Sequence, residues 1–386
     1  MPLPQAVLRC TKPYSQEDLV KLFDKVKTSL SLGFLAAAFC LAASAQANFL
    51  NAGTISVVAS TVPVNGDVNP YGIARVPQSK GALVEGNILV SNFNGMLNLQ
   101  GTGTTIVQIS PEGTVSLFAQ IDVKTLPGPC PGGVGLTTAL SVLRSGWVIV
   151  GSVPTTDGMS DTVEAGCLLV LDSSGNVAET IYGSLINGPW DMTALDAGSS
   201  ANLFVTNVLN GTVAGGGNVV HGGTVVRLTL NGLNTSMPIL QSMTVIGSGF
   251  PERTDPAALV IGPTGLGLSP NSSLLYVADS LSNRVAAIPN PVFRVTSAGI
   301  GATVTQGGSL NDPLGLAVSA GGNILTVNGD NGFLVTTTAN GVQVSKKLLD
   351  SSGTPPGNGA LFGLVPVAGQ GLYYVDDATN TLNLFN

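Results

Sequence analysis

Apolar residues in this chain come in short bursts separated by turn-forming residues. The stretch from Pro263 to Ile288, PTGLGLSPNSSLLYVADSLSNRVAAI, is the clearest case. Leu266 and Leu268 alternate with glycines, PNSS is a turn cluster, and Leu274 to Val277 is an apolar run. Asp279 and Ser280 open a second turn, and Arg284 to Ile288 begins a third apolar segment. Such bursts, bounded by Gly, Pro, Asn, Asp and Ser, predict strand, turn, strand, turn, strand. The same cadence recurs at 69–95, 137–152, 189–211, 312–332 and 361–380, which makes six copies.

A small sheet of this kind cannot bury both faces alone, so copies must stack. Six copies closing on themselves predict an all-β, six-bladed β-propeller with four-stranded blades. Hairpins between the copies supply the third and fourth strands: 104–119 about PEG, 167–183 about DSSGN, 224–234 and 333–349 about NG. The chain ends on TLNLFN, only the third strand of the sixth copy, whereas GTISVVAS at 53–60 precedes the first copy. The N-terminal strand is therefore expected to close the last blade and cover its edge. Loops at 77–86, 121–136, 153–166 and 211–223, and a longer insert over 235–262, break the spacing. Such loops are where binding residues gather.

The segment YVADSLSNRV at 276–285 resembles the NHL repeat, and YVDDATNTLNL at 374–384 is a weaker echo. The resemblance implies the propeller fold and no particular reaction. The repeat pattern is also similar, distantly, to senescence-marker/gluconolactonase-like propellers, which implies a divalent metal such as Ca²⁺ in the central channel. Their early Glu-Gly-Pro metal ligand is replaced here by Asn69-Pro70-Tyr71.

The 386 residues are rich in glycine (50) and only 10% charged, with apolar residues scattered through short runs, which suits a β-rich globular chain. One stretch departs from this. Lys25 and Lys27 precede the apolar run Leu30 to Ala43, and Ala45-Gln46-Ala47 follows with small residues. These are the parts of a secretory signal peptide. Residues 1–47 are thus expected to be a leader, and 48–386 a single propeller domain, secreted or periplasmic. Within the leader, Ser15 with Asp18 resembles a capping box, and Leu19, Leu22, Phe23 and Val26 share one helical face. Five of the 15 Lys and Arg and three of the 22 Asp and Glu lie in the leader, leaving a mature net charge of −9. With no basic run, nucleic acid is disfavoured as a partner. No stable membrane span is expected after cleavage. The expected partner is a small molecule or a protein, bound by a monomer.

Two of the four cysteines, Cys10 and Cys40, fall in the leader. Cys130 and Cys167 remain, and an even pair in an exported chain predicts a disulfide, worth roughly 3–4 kcal/mol on chain-entropy grounds.

Candidate chemistry is sparse. Aligning the copies places Gly72, Ala139, Gly265, Gly315 and Gly363 at the position that Asp191 holds in the third copy. A carboxylate where the repeat requires a small residue makes Asp191 the candidate catalytic group or channel ligand. Trp190 beside it, Tyr71 at the matching part of the first copy and His221, the sole histidine, are candidate ligand-binding residues. Asn92, Ser152, Asn207, Asp279, Asn328 and Asp376 share one position after the second strand. Such a ring of oxygens could ligate Ca²⁺, but Asn and Asp also recur at turns because they bond their own backbone. No GxSxG, HExxH, P-loop or dinucleotide fingerprint is present. The sequence therefore points first to a non-catalytic binding module, and second to a metal-dependent hydrolase or lyase, lactonase-like, with its site in the channel.

Overall fold

The computed structural model describes residues 53–235 and 237–386. The expected signal peptide, the expected cleavage behind Ala47 and the amphipathic pattern over 15–26 lie outside the described residues. The first strand, β1 (Ile55–Ser60), stands apart from the first blade, which comprises β2 (Val68–Arg75), β3 (Ile88–Asn94), β4 (Thr105–Ile109) and β5 (Val115–Gln120). Blade 2 follows with β6 (Leu136–Val142), β7 (Val148–Ser152), β8 (Cys167–Leu171) and β9 (Val177–Ile181). Blade 3 has β10 (Pro189–Asp196), β11 (Ser200–Asn207), β12 (Val220–Asn231), β13 (Ile239–Asp255) and a short fifth strand, β14 (Leu259–Ile261). Blade 4 has β15 (Pro263–Leu268), β16 (Leu274–Asp279), β17 (Arg284–Pro289) and β18 (Ala302–Gln306). Blade 5 has β19 (Pro313–Val318), β20 (Ile324–Asn328), β21 (Phe333–Thr337) and β22 (Gln343–Leu348). Blade 6 has β23 (Leu361–Val367), β24 (Gly371–Asp376) and β25 (Thr381–Phe385), completed by β1. All ladders are antiparallel, and the inner strands β2, β6, β10, β15, β19 and β23 contact one another in sequence and close back on β2.

The expected six blades and the N-terminal closure are both present. β1 pairs with β25 from Ile55 opposite Phe385 to Ser60 opposite Thr381. One expectation needs correction. Residues 224–234 do not form a complete hairpin, and 235–262 is not simply a loop. β12 alone spans 220–231, and the fourth strand of blade 3 is β13, running 17 residues to Asp255. Its glycines and bulges against β12 interrupt the alternation that marks shorter strands.

Middle strands are buried on both faces because a neighbouring blade covers each side. β3 and β4 are buried throughout, whereas the outer strand β22 alternates half-buried and exposed residues. Blades are also stitched by hydroxyls. Ser91 Oγ accepts from the Gly72 N–H and donates to the Thr137 carbonyl of blade 2 (3.0 and 2.9 Å). Thr137 Oγ1 donates to the Pro189 carbonyl of blade 3 (2.8 Å), and Thr206 Oγ1 donates to the Thr264 carbonyl of blade 4 (3.1 Å). The inner strands of blades 2, 3 and 4 thereby use backbone acceptors that a lone sheet would leave unpaired.

Cys130 and Cys167 are bridged, 37 residues apart, tying the segment that leads into blade 2 to its third strand. Among the described residues no helix is long and apolar enough to cross a membrane.

The NHL-like segment holds a buried ion pair. Arg284 Nε and Nη2 both donate to Asp279 Oδ2 (3.0 and 2.7 Å), and both side chains are almost fully buried. Arg284 also donates to the Ile300 carbonyl and to Thr303, joining β16, β17 and the segment that leads into β18. Removing one partner strands the other charge in a low-dielectric interior, so Arg284→Ala should lower unfolding free energy by about 3–5 kcal/mol in urea denaturation. A change below about 1 kcal/mol would show that water reaches the pair. Deleting residues 53–60 should expose the β25 edge and give aggregation or a much lower Tm. Unchanged light scattering and Tm would remove β1 from the closure.

Candidate functional site

Two cavities open at opposite ends of the ring axis. The larger, about 990 Å³, lies where the inner strands begin, among loops joining second to third strands and the connections between blades. The smaller, about 420 Å³, lies where the inner strands end. Tyr71, Leu314 and Phe362 floor the larger cavity, and Ile73, Leu316 and Leu364, two residues further along the same strands, line the smaller.

An aromatic cluster stands between them. Tyr71 is stacked on Phe362 and on Phe93, with ring centroids 3.7 and 4.4 Å apart. Trp190 meets Tyr71 and Phe93 edge-on at 6.2 and 5.6 Å. These rings come from three blades and are buried together in one apolar cluster. Tyr71 and Trp190, both expected to bind ligand, are thus brought together, with Tyr71 facing the larger cavity. His221 is exposed on β12 and lines neither cavity.

Asp191 lines the smaller cavity, away from the one Tyr71 faces. The glycine alignment follows from contacts between neighbouring blades. A Cβ at Gly315 would run into the Phe362 carbonyl, and one at Gly363 into the Tyr71 carbonyl, each on the next blade. The small residue is required by the approach of neighbouring inner strands. Between blades 3 and 4 the space accommodates a carboxyl, which accepts from the Met192 N–H (2.6 Å) and from the Leu266 N–H of blade 4. Burial, against those two donors, pushes the Asp191 carboxyl up to about 8.

The ring of Asn and Asp is spread over the blades. Asn92 donates to the Thr61 carbonyl and Thr105, Ser152 to the Gly133 carbonyl, and Asn328 to the Ser309 carbonyl and Asn331. Asp279 is held by Arg284, and Asp376 accepts from the Thr379 N–H. Asn207 is buried with neither amide atom hydrogen-bonded.

The larger cavity contains side chains that sequence reasoning passed over. Asp312, Asp330 and Asp377 line it with Asp255 and Arg253. Arg253 lies 2.6 Å from Asp255 and is spent on it. Burial, then Asp376 and Asp350, push the Asp377 carboxyl up to about 8. Burial, then Asp330 and Asp255, push Asp312 up to about 7, only partly offset by Arg253. The signal was one or two residues away: Asp377 follows the ring residue Asp376, and Asp330 lies two past Asn328. Arg253 and Asp255 lie in the flagged insert.

No protein-family model matches the chain, and no curated protein matches it in sequence. Solved structures do share its fold. A gluconolactonase from Xanthomonas campestris is 14% identical, with 88% of this chain and 92% of that one covered and a TM-score of 0.54. Regucalcin from Agrobacterium tumefaciens, described as a calcium-binding protein, is 13% identical over 84% and 92%, at 0.53. Virginiamycin B lyase from Staphylococcus aureus is 12% identical over 86% and 99%, at 0.50. The chain folds as these propellers do. At such identities the likeness establishes the fold alone. A divalent metal is the group such neighbours imply. Among the described residues, no three His, Cys, Asp or Glu side chains stand together so as to hold a metal ion.

Asp191, Asp312 and Asp377, with Glu252 (about 7) and Asp376 (about 6), all titrate above their ordinary values of 3.8 and 4.5. Between pH 4 and pH 8 the folded chain therefore holds more protons than the unfolded chain. Stability is full below about pH 4 and falls as pH rises through the folded-state values. Tm should decline from pH 5 to pH 8, and Asp191→Asn, which keeps an acceptor for Met192, should decline less steeply. Parallel curves for wild type and variant would show that Asp191 is ionised at neutral pH.

Proposed function

We propose that this chain is an exported, monomeric, non-catalytic binding protein whose small-molecule site is the larger cavity. The observation that carries this reading is the cavity itself. It has an apolar floor of Tyr71, Leu314 and Phe362, and a wall of Asn and Asp side chains from blades 1, 3, 4, 5 and 6. A concave site of several hundred Å³ with an apolar base and a few convergent polar groups is the usual form of a ligand pocket. The Cys130–Cys167 bridge supports export, since such bonds persist in oxidising compartments. Each blade ends on a short outer strand, and so small an edge does not call for a second subunit.

The second reading, a metal-dependent hydrolase or lyase, draws on Asp312 and Asp377 sharing this cavity. Carboxyls raised toward neutrality are suited to proton transfer.

Thermal-shift screening of a fragment library separates the two. Compounds that raise the Tm of wild type should fail to do so for Ala378→Trp, which fills the cavity from its exposed rim. Lactones should bind or not bind without turnover, with or without Ca²⁺, Mn²⁺ or Zn²⁺. Metal-dependent lactone hydrolysis lost in Asp377→Asn would replace binding by catalysis. A screen in which no compound distinguishes wild type from Ala378→Trp would refute the cavity as a site.

A further inference from the structure

The smaller cavity, about 420 Å³, is of a size for a small molecule, and its chemistry differs from that of the larger one. Of the residues lining it, Asp191 is the single carboxyl and Arg75 the single cation. Its polar character comes instead from hydroxyls. Thr138 and Ser141 of β6 and Thr193 of β10 all line it. Thr138 and Ser141 keep 9% and 7% of their surface accessible. Neither hydroxyl is sealed from solvent, and neither has a hydrogen-bond partner among the described residues. Other inner-strand hydroxyls, those of Thr137 and Thr264, are spent on carbonyls of the next blade. Thr138 lies where β6 shifts register against β7, between Leu136 and Leu140, and Asp191 where β10 shifts against β11, between Pro189 and Met192. Such bulges re-aim side chains. The backbone adds to this. Every inner strand is the end strand of its sheet, so its second edge carries N–H and C=O groups that no further strand pairs. Burial holds Asp191 protonated at neutral pH, which supplies one more donor. The wall is thus rich in groups that both donate and accept, and its one cation stands where β2 ends.

We propose that this cavity is a second binding site, separate from the larger one, and that its ligand is a small uncharged polyol, a chain or ring of carbons bearing several hydroxyls. Such a molecule donates to and accepts from Thr138, Ser141 and Thr193, and its C–H faces lie on Leu266, Leu316 and Leu364. The lining disfavours the other ligand classes. A purely apolar molecule would leave the hydroxyls and the strand edges unmatched, at a cost for each buried polar group. A cation finds no ionised carboxylate and meets Arg75. An anion could pair with Arg75, but that residue is the last of β2, and hydroxyls as far back as Thr138, the third residue of β6, would stay unmatched. A polyol reproduces the hydrogen bonds of the waters it displaces, which is the condition for displacing ordered water without losing affinity.

Isothermal titration of the full disulfide-bonded chain with glycerol, myo-inositol and D-mannitol tests this, with cyclohexanol as the counterpart that keeps a carbon ring but a single hydroxyl. At least one of the three polyols should bind at least about tenfold more tightly than cyclohexanol. For that polyol, Thr138→Val, which keeps the shape and removes the hydroxyl, and Ser141→Ala should each weaken binding about threefold to tenfold. Ser141→Ala, near the end of β6, carries the test if Thr138→Val lowers the Tm. Ala317→Trp, which fills the smaller cavity from its half-buried rim, should abolish binding, and Ala378→Trp, in the larger cavity, should leave it unchanged. Loss in Ala378→Trp but not in Ala317→Trp would move the polyol to the larger cavity and overturn the second site, leaving the reading of the larger one intact. Saturable binding of inorganic phosphate, lost in Arg75→Gln, with no polyol bound would overturn the polyol in favour of an anion. Binding by none of the three polyols, or equal binding of cyclohexanol, would overturn the proposal outright.

Discussion

The approach of neighbouring inner strands is the constraint on which the rest of this propeller depends. At Gly265, Gly315 and Gly363 a single added carbon would meet the backbone of the next blade. At the other three contacts the hydroxyls of Ser91, Thr137 and Thr206 carry hydrogen bonds from one blade to the next. The ring is therefore held on its inner side by polar stitches and behind them by apolar packing. Closure follows when β1 takes the outer place in blade 6. A ring assembled in this way has a rigid axis, and its two ends become two separate chemical environments.

What separates those environments is the aromatic cluster of Tyr71, Phe93, Trp190 and Phe362. The side chains come from strands that are distant in sequence and meet only on the axis. Above them the loops contribute Asn and Asp, whose short side chains stabilise tight turns and reach over the channel mouth. Below them the inner strands offer mostly apolar side chains, glycine backbone and the Asp191 carboxyl. The carboxyls at both ends titrate high because they are buried. The chain supplies few cations to offset that burial, and two of its guanidinium groups are already engaged: Arg253 with Asp255, and, within blade 4, Arg284 with Asp279.

Several site residues could be approached from the sequence without being reached. The ring at Asn328 and Asp376 was visible as a repeat position, but β20 and β24 end at those residues, and it is the turns beyond them that line the channel mouth. The ring residues turn into their own blades, and the acids over the channel stand one or two positions later, at Asp330 and Asp377. Asp191 was legible as a break in the glycine alignment. Its environment was not, because the gap that admits it depends on how β10 lies against β15. Asp312 carried no signal at all. It sits in Asn311-Asp312-Pro313, just before an inner strand, where an Asp is an ordinary turn residue. Its cavity neighbour Asp330 belongs to the far end of the next hairpin, so nothing local couples the two.

The sequence by itself determined the six blades, the antiparallel hairpins, the closure of blade 6 by residues 53–60 and the Cys130–Cys167 pair. These follow from local periodicity, from turn residues and from counting, because each repeat is a short-range unit and an unfilled edge has one available partner. It did not determine the span of β13, whose bulges blur the alternation, nor which of the Asn and Asp residues face the channel. Those depend on register and on the packing of blade against blade. Only the tertiary structure brings Tyr71, Asn94, Asp312, Asp330 and Asp377 around one cavity, since convergence on an axis is set by ring closure, and no local stretch of chain contains that geometry.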